Sequence, residues 1–284
     1  MAKKELLHGA KSTFDALKRY GCLVFQGGTS LRLCRGSDRF SDGLDFAGGV
    51  DFSSDGMQPI KACVEKRIGE RYGLRVAVSN KPAKVGLAGV APVSVDKWWI
   101  SIETSPENSA MPRQRIKLEI ANVRARTREL VPLRANYEFL SGMPTVLVNA
   151  ETLGEIMADK ILAFPTSLMD SQGRPVASDS NKIRHPDIWD IAWMAARGTK
   201  LNPLLVAAKI GDYGVEDYAG LLDRAINAIP AIVKSREFKS QMTRFIDSAT
   251  VAKTLANEGY LDYLTTSVGG LFAEMKAASA YNYG

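Results

Sequence analysis

Acids, bases, hydroxyls and paired glycines with the potential for catalysis cluster in a few short stretches. The first runs from Leu23 through Gly27, Gly28, Thr29, Ser30 and Leu31 to Cys34, and continues as Arg39-Phe40-Ser41-Asp42-Gly43-Leu44-Asp45-Phe46. Cys22 to Phe25 is an apolar run suited to a buried strand. Gly27-Gly28 breaks it where the backbone must turn sharply. Thr29 or Ser30 can then cap a helix through Leu31 and Leu33. A helix start behind two glycines offers backbone N–H groups and partial positive charge to phosphate oxygens. A tight strand-to-helix turn with no ligand uses the same residues. In the second half, apolar Phe40, Leu44 and Phe46 alternate with polar partners, which places Ser41, Gly43 and Asp45 on the opposite face of a strand.

Further along, Arg115-Ile116-Lys117-Leu118-Glu119-Ile120 alternates in the same way, so that Arg115, Lys117 and Glu119 share one face. A half-exposed strand with surface ion pairs fits this pattern as well as a functional one. Arg124, Arg126 and Arg128 could track phosphates, since guanidinium groups fork onto phosphate oxygens, or could charge a solvated edge strand. Lys160 falls inside the apolar stripe of its helix and must snorkel outward or meet an anion. Asp187 and Asp190 stand one helical turn apart just after Pro186, where two acids also suit the helix dipole.

Gly-Gly-Thr-Ser-Leu-Arg-Leu followed by Arg-Phe-Ser-x-x-Leu-Asp-Phe resembles the AbiEii-type nucleotidyltransferase toxins of bacterial toxin-antitoxin and phage-defence systems, which have the polymerase-beta-like nucleotidyltransferase fold. Lys160-x-x-Ala163, then Arg184-x-x-Asp187-x-Trp189-Asp190, resembles the family's second block. The resemblance runs from Val24 to about Ile191. It implies transfer of a nucleoside monophosphate from an NTP to an acceptor hydroxyl, with RNA such as a tRNA end as acceptor and a cognate antitoxin as partner. It implies Mg2+ as cofactor, two ions about 3.5 to 4 Å apart clamping the attacking and leaving oxygens. Asp45 and Glu119 would hold them. The family usually carries Ser-x-Asp-x-Asp, and this chain has Gly43 at the first acidic position. A bulge at Gly43 would turn the adjacent Asp42 to the metal side. By the same resemblance Gly27, Gly28, Thr29 and Ser30 would cradle phosphates, with Arg39, Ser41 and Arg184 also on the nucleotide. Lys160 would neutralise the triphosphate and Asp187 would orient the acceptor or the nucleotide, both facing the active site across a domain cleft.

These residues need an α+β scaffold: a nucleotidyltransferase domain over residues 1–150, with a mixed sheet flanked by helices, and a helical bundle over 151–284 closing the active-site cleft. Lys4 to Arg19 reads as an amphipathic helix and Pro59 to Tyr72 as another, with strands near Leu74–Val78, Trp98–Glu103 and Thr145–Val148. Thr152 with Glu155 forms a capping box. Pro165 to Ile183 reads as a long loop, and later helices are separated at Gly214, Pro230, Gly259 and Gly269-Gly270.

A chain of 284 residues with 45% hydrophobic and 24% charged residues has a globular balance. Its formal charge of +6 suits a polyanionic partner. Three cysteines and two histidines complete neither a disulfide set nor a zinc site. No stretch has the length of a membrane span, so a cytoplasmic protein without a membrane partner is expected.

Overall fold

The computed structural model describes residues 23–53, 57–81, 93–105, 113–134 and 145–281. The expected helix from Lys4 to Arg19, with Cys22, Asp55, most of the Lys81–Pro92 loop and the Ser141–Pro144 turn, lies outside the described residues. The chain forms two compact units. The first comprises Met1–Ser37 and Ser41–Glu151, and the second comprises Asp38–Phe40 and Thr152–Gly284.

The first unit is built on a seven-stranded mixed sheet in the order β3-β4-β5-β2-β1-β7-β6. Its strands are β1 (Val24–Gln26), β2 (Gly43–Ala47), β3 (Arg75–Lys81), β4 (Val95–Glu103), β5 (Gln114–Ala121), β6 (Arg128–Pro132) and β7 (Leu147–Glu151). Period-two alternation buries Leu44 and Phe46 of β2, Trp98, Ile100 and Ile102 of β4, and Ile116, Leu118 and Ile120 of β5 in one core. Phe25 joins them, its ring centroid 5.1 Å from that of Phe46. Helix α2 (Gln58–Tyr72) has Pro59 in its first turn and ends at Gly73 in the left-handed conformation. It contributes Val64 and Ile68 to this core. Its Glu65 Oε1 accepts a hydrogen bond from the Val78 N–H at 2.8 Å, which satisfies a backbone donor of edge strand β3.

Between β1 and β2 the chain makes the short helix α1 (Gly27–Ser30), which continues as a π-helical turn, Leu31–Arg35. The helix begins at Gly27 with Gln26 as its cap residue. Thr29 and Ser30 therefore lie inside the helix, and neither caps it as the sequence suggested. Arg124 and Arg126 precede β6, and only Arg128 lies on it, so the three arginines do not share one strand.

The second unit is helical: α3 (Leu153–Thr166), α4 (His185–Ala196), α5 (Pro203–Tyr213), α6 (Tyr218–Lys234), α7 (Arg236–Thr243), α8 (Ser248–Lys253) and α9 (Glu258–Tyr281). Thr152 caps α3, its side chain accepting the Glu155 N–H at 3.2 Å. Pro230 lies within α6, and Gly259, Gly269 and Gly270 lie within α9, so these residues do not separate helices as expected. Burial along α6 and α9 overrides local helix-breaking tendency: Leu222, Ala225, Ile229, Leu261, Leu264, Val268 and Phe272 are all fully enclosed. Among the described residues no helix is long and apolar enough to cross a membrane.

Glu155, whose backbone N–H the Thr152 cap receives, also carries an ion pair to α5. It is fully buried and meets the Lys209 ammonium of α5 at 2.7 Å, while Asp159 meets the same ammonium at 2.6 Å. Removing one partner of a buried ion pair leaves an uncompensated charge, at a cost of about 3 to 5 kcal/mol. Lys209→Met is therefore expected to lower unfolding free energy by about that amount in urea titration, with Lys209→Met/Glu155→Leu recovering much of it. A Lys209→Met loss of under about 1 kcal/mol would show that the pair is not isolated from water.

Candidate active site

The polar face of the first unit's sheet is set by register. β2 runs parallel to β5 with Gly43 opposite Lys117, Asp45 opposite Glu119 and Ala47 opposite Ala121. β4 pairs antiparallel with β5 and places Lys97 opposite Glu119, while β1 places Gln26 opposite Asp45. Leu44, Phe46, Leu118 and Ile120 point into the core, which leaves Asp45, Lys117 and Glu119 together on the other face. The ladder is continuous from Gly43 to Ala47 with no inserted residue. The bulge expected at Gly43 is absent, because parallel pairing with β5 begins at that residue. Asp42 lies just outside the strand, in an exposed bend.

The Lys117 ammonium is 2.5 Å from one Glu119 oxygen and the Lys97 ammonium is 3.0 Å from the other. Partial burial favours the neutral acid, but hydrogen bonds and charge from Lys117 and Lys97 outweigh it and hold the Glu119 carboxyl below the ordinary carboxylate range. Gly27 approaches from β1. Its φ of +75° is in the left-handed region, and a Cβ built there would lie 2.9 Å from Asp45 Oδ2. Conformation and contact both demand glycine at this position.

Around this face, Gly28, Thr29 and Ser30 are buried. The Thr29 hydroxyl donates to the Gly43 carbonyl and so ties α1 to β2. Ser30 is fully enclosed. Burial pushes the Cys34 thiol up to about 12, so a thiolate nucleophile is not available there. Ser41 is half-buried and precedes β2.

A metal fits this face in a limited way. Among the described residues no group of three His, Cys, Asp or Glu side chains is arranged to hold an ion. Asp45 and Glu119 are nonetheless hard oxygen ligands on neighbouring, registered strands. Mg2+ commonly takes one or two carboxylates and completes its shell with water and substrate phosphates. A carboxylate offers about four lone-pair positions, so Glu119 can serve an ion while keeping its lysines.

The second unit gathers the other expected residues into one ion network. The Lys160 ammonium is 2.7 Å from Asp187 Oδ1 and 2.8 Å from Asp190 Oδ2. Arg184 Nε is 2.5 Å from Asp187 Oδ2, and Arg39 grips Asp190 through Nε and Nη2. Lys160 does not snorkel: its side chain is only 5% exposed. Burial works against its charge, yet Asp187 and Asp190 hold the ammonium above its ordinary range. Burial likewise works against the Asp187 carboxylate, and Arg184 and Lys160 overcome it to hold that carboxyl far below the usual range. Arg39 is buried on Asp190 and the Phe40 carbonyl, a correction of the expected phosphate contact. Asp190, noted in the sequence as the neighbour of Asp187 and as part of the family's second block, bridges Lys160 and Arg39. Its signal was the helical spacing to Asp187 combined with burial. Trp189 Nε1 donates to Asp38 at 3.2 Å, and the Phe40 N–H donates to the Phe245 carbonyl at 2.6 Å, so Asp38–Phe40 is held at both ends.

His185 begins α4 fully buried, with Nε2 3.1 Å from the Ser180 carbonyl. A carbonyl can only accept, so Nε2 carries the hydrogen. Burial, opposed by Glu237 and Asp187, lowers the imidazole below its ordinary value. A group depressed on folding contributes stability above its unfolded value, about 6.5, and loses it as pH falls toward the folded value. Urea midpoints should therefore drop between pH 7.5 and 5, and His185→Gln should flatten that drop. An unchanged slope in the variant would show that His185 is not the group responsible.

Comparison with known proteins adds the family. A model described as "Nucleotidyl transferase AbiEii toxin, Type IV TA system" matches residues 16–263. No curated protein matches the chain. Among solved structures, MenT4, a nucleotidyltransferase toxin from Mycobacterium tuberculosis, superposes with a TM-score of 0.52 at 14% identity, covering 96% of this chain and 86% of its own. JHP933 from Helicobacter pylori gives 0.45 at 17% identity, covering 99% and 97%. A putative nucleotidyltransferase from H. pylori gives 0.45 at 15%, covering 98% and 97%. At these identities the MenT4 likeness speaks for the α+β fold alone, whereas the family match spans most of the chain and includes both the β1–β2 face and the Lys160 network. The chain belongs to the AbiEii nucleotidyltransferase toxin family of type IV toxin-antitoxin systems.

Proposed function

We propose that this toxin uses Asp45 and Glu119 to bind Mg2+ with an NTP and transfers the nucleoside monophosphate to a hydroxyl of RNA, a tRNA end being the simplest acceptor. The observation that carries the reading is the registered pairing of Asp45 with Glu119 on the polar face of the sheet, with Gly27 packed against Asp45. In the reaction the bond between the α-phosphorus and its bridging oxygen breaks, pyrophosphate leaves, and the acceptor oxygen bonds to phosphorus as its proton departs. Bound magnesium supplies charge stabilisation to the phosphate oxygens.

The protein's own residues do the positioning. Asp45 and Glu119 would hold the cation on which the phosphates sit, and the Gly27–Gly28 backbone beside Asp45 would offer N–H groups to the leaving pyrophosphate. Lys97 and Lys117 keep Glu119 ionised and add positive charge to the face. Lys160, Asp187, Asp190 and Arg39 act as positioning residues for Arg184, whose half-exposed side chain Asp187 orients for an anionic ligand. Asp42 has no ligand role in this reading, since that role depended on a bulge the ladder lacks. The net charge of +6 suits an RNA acceptor, and a cognate antitoxin follows from the type IV family. A cytoplasmic location fits these partners.

A second reading, nucleotide or RNA binding without turnover, draws on the glycine at position 43 and on the lysine pair already engaging Glu119. Transfer of label from each NTP to total RNA, with and without magnesium, separates the two. Asp45→Asn and Glu119→Gln should each reduce transfer by at least about 100-fold, the upper end of what loss of a supporting partner costs a metal site. Asp42→Asn should stay within about three-fold, as an exposed residue outside the site does. Near-normal turnover in both site variants contradicts the metal assignment, and NTP binding without any transfer in the wild type supports the second reading.

A further inference from the structure

Gly43 is the residue two before Asp45 on the same face of β2, where a side chain would stand beside the Asp45 carboxylate. A Cβ built there would lie 3.7 Å from Asp45 Oδ1 and 3.4 Å from Lys117 Cε. Neither distance is a clash. The space next to Asp45 is thus open to a carboxylate but is shared with the end of the Lys117 side chain. Register explains this, since Gly43 and Lys117 are direct partners across β2 and β5. The Lys117 ammonium then sits 2.5 Å from Glu119. Asp45, Glu119 and a lysine ammonium therefore occupy a face on which two-ion transfer requires two cations flanked by several acids.

Charge decides how many cations this face holds. Two carboxylates with a neighbouring ammonium leave enough negative charge for one divalent ion shared with substrate phosphates. A second divalent ion would meet the ammonium at close range and find no third carboxylate among the described residues, and like charges at such separations repel strongly when partly shielded from water. We propose that the Lys117 ammonium takes the place of a second metal ion, so that this toxin is a one-ion nucleotidyltransferase with a lysine supplying the other positive charge. The inference rests on the assignment of Asp45 and Glu119 as metal ligands.

Manganese spectroscopy tests the ion count without requiring turnover. Full-length protein is saturated with Mn2+ and an α,β-methylene NTP analogue, and the electron paramagnetic resonance spectrum is recorded. Two ions about 3.5 to 4 Å apart are magnetically coupled, whereas a single ion gives the isolated six-line pattern. The wild type should give the isolated pattern. Gly43→Asp/Lys117→Ala, which adds an acid and removes the ammonium, should give a coupled pair. A coupled pair in the wild type, or an isolated ion in the double variant, overturns the inference. A wild-type spectrum equal to that of the Mn2+-analogue complex alone, and unchanged in Asp45→Asn, overturns the metal site itself and the inference with it.

Should the double variant not fold, single substitutions decide. Lys117→Arg keeps the charge and should retain most transfer with an isolated-ion spectrum. Lys117→Met keeps the bulk and should lose about 100-fold in turnover, as removal of a preorganised positive group does. Equal activity in Lys117→Met and wild type contradicts the role.

Discussion

Parallel pairing of β2 with β5 is the constraint on which the proposed chemistry depends. The register that opposes Asp45 to Glu119 also opposes Gly43 to Lys117. A one-residue slip of β2 would turn Asp45 into the core and bring Leu44 and Phe46 to the polar face. That slip is opposed by the apolar side of the same strands, where Leu44, Phe46, Leu118 and Ile120 are almost wholly buried. The Thr29 hydroxyl on the Gly43 carbonyl and the close approach of Gly27 to Asp45 fix the strand start from the other side. Packing on one face of the sheet thus enforces the geometry of charge on the other.

The second unit handles charge by a different rule. Lys160, Asp187 and Asp190 lie in a nearly dry interior, where an isolated ion would be costly, and the Lys160 ammonium stands within ion-pair distance of both carboxylates. Arg39, brought in by the short segment Asp38–Phe40, completes the pairing of Asp190. A buried network of this kind is costly to break and therefore rigid. That property is useful for holding Arg184, which is the most exposed of its cations. The Lys209–Glu155–Asp159 cluster follows the same logic with no member as exposed as Arg184.

Local signals in the sequence were enough for the strand alternation of β5, the Thr152 cap and the placement of Pro186 in the first turn of α4, because each depends on residues within one turn or one strand. The acids and the glycine turn were equally visible as types and spacings. Contacts between distant positions were not. Arg39 meets Asp190 across 151 residues of chain, and nothing beside Arg39 shows that its partner is a carboxylate and not a phosphate. The regular strand at Gly43 was hidden for the same reason. Glycine permits a bulge, and only pairing with β5 decides against one. Pro230 and the glycines of α9 punctuate the sequence, but tertiary burial carries the helices through them.

Nucleotidyl transfer to RNA can be followed through the fate of the phosphorus atoms. Purified toxin is incubated with magnesium and either α-labelled or γ-labelled NTP, in parallel with total RNA and with total protein. Label is expected on RNA from the α position alone, with stoichiometric release of pyrophosphate. Label passing to RNA from the γ position, or α label appearing on protein and not on RNA, would contradict it.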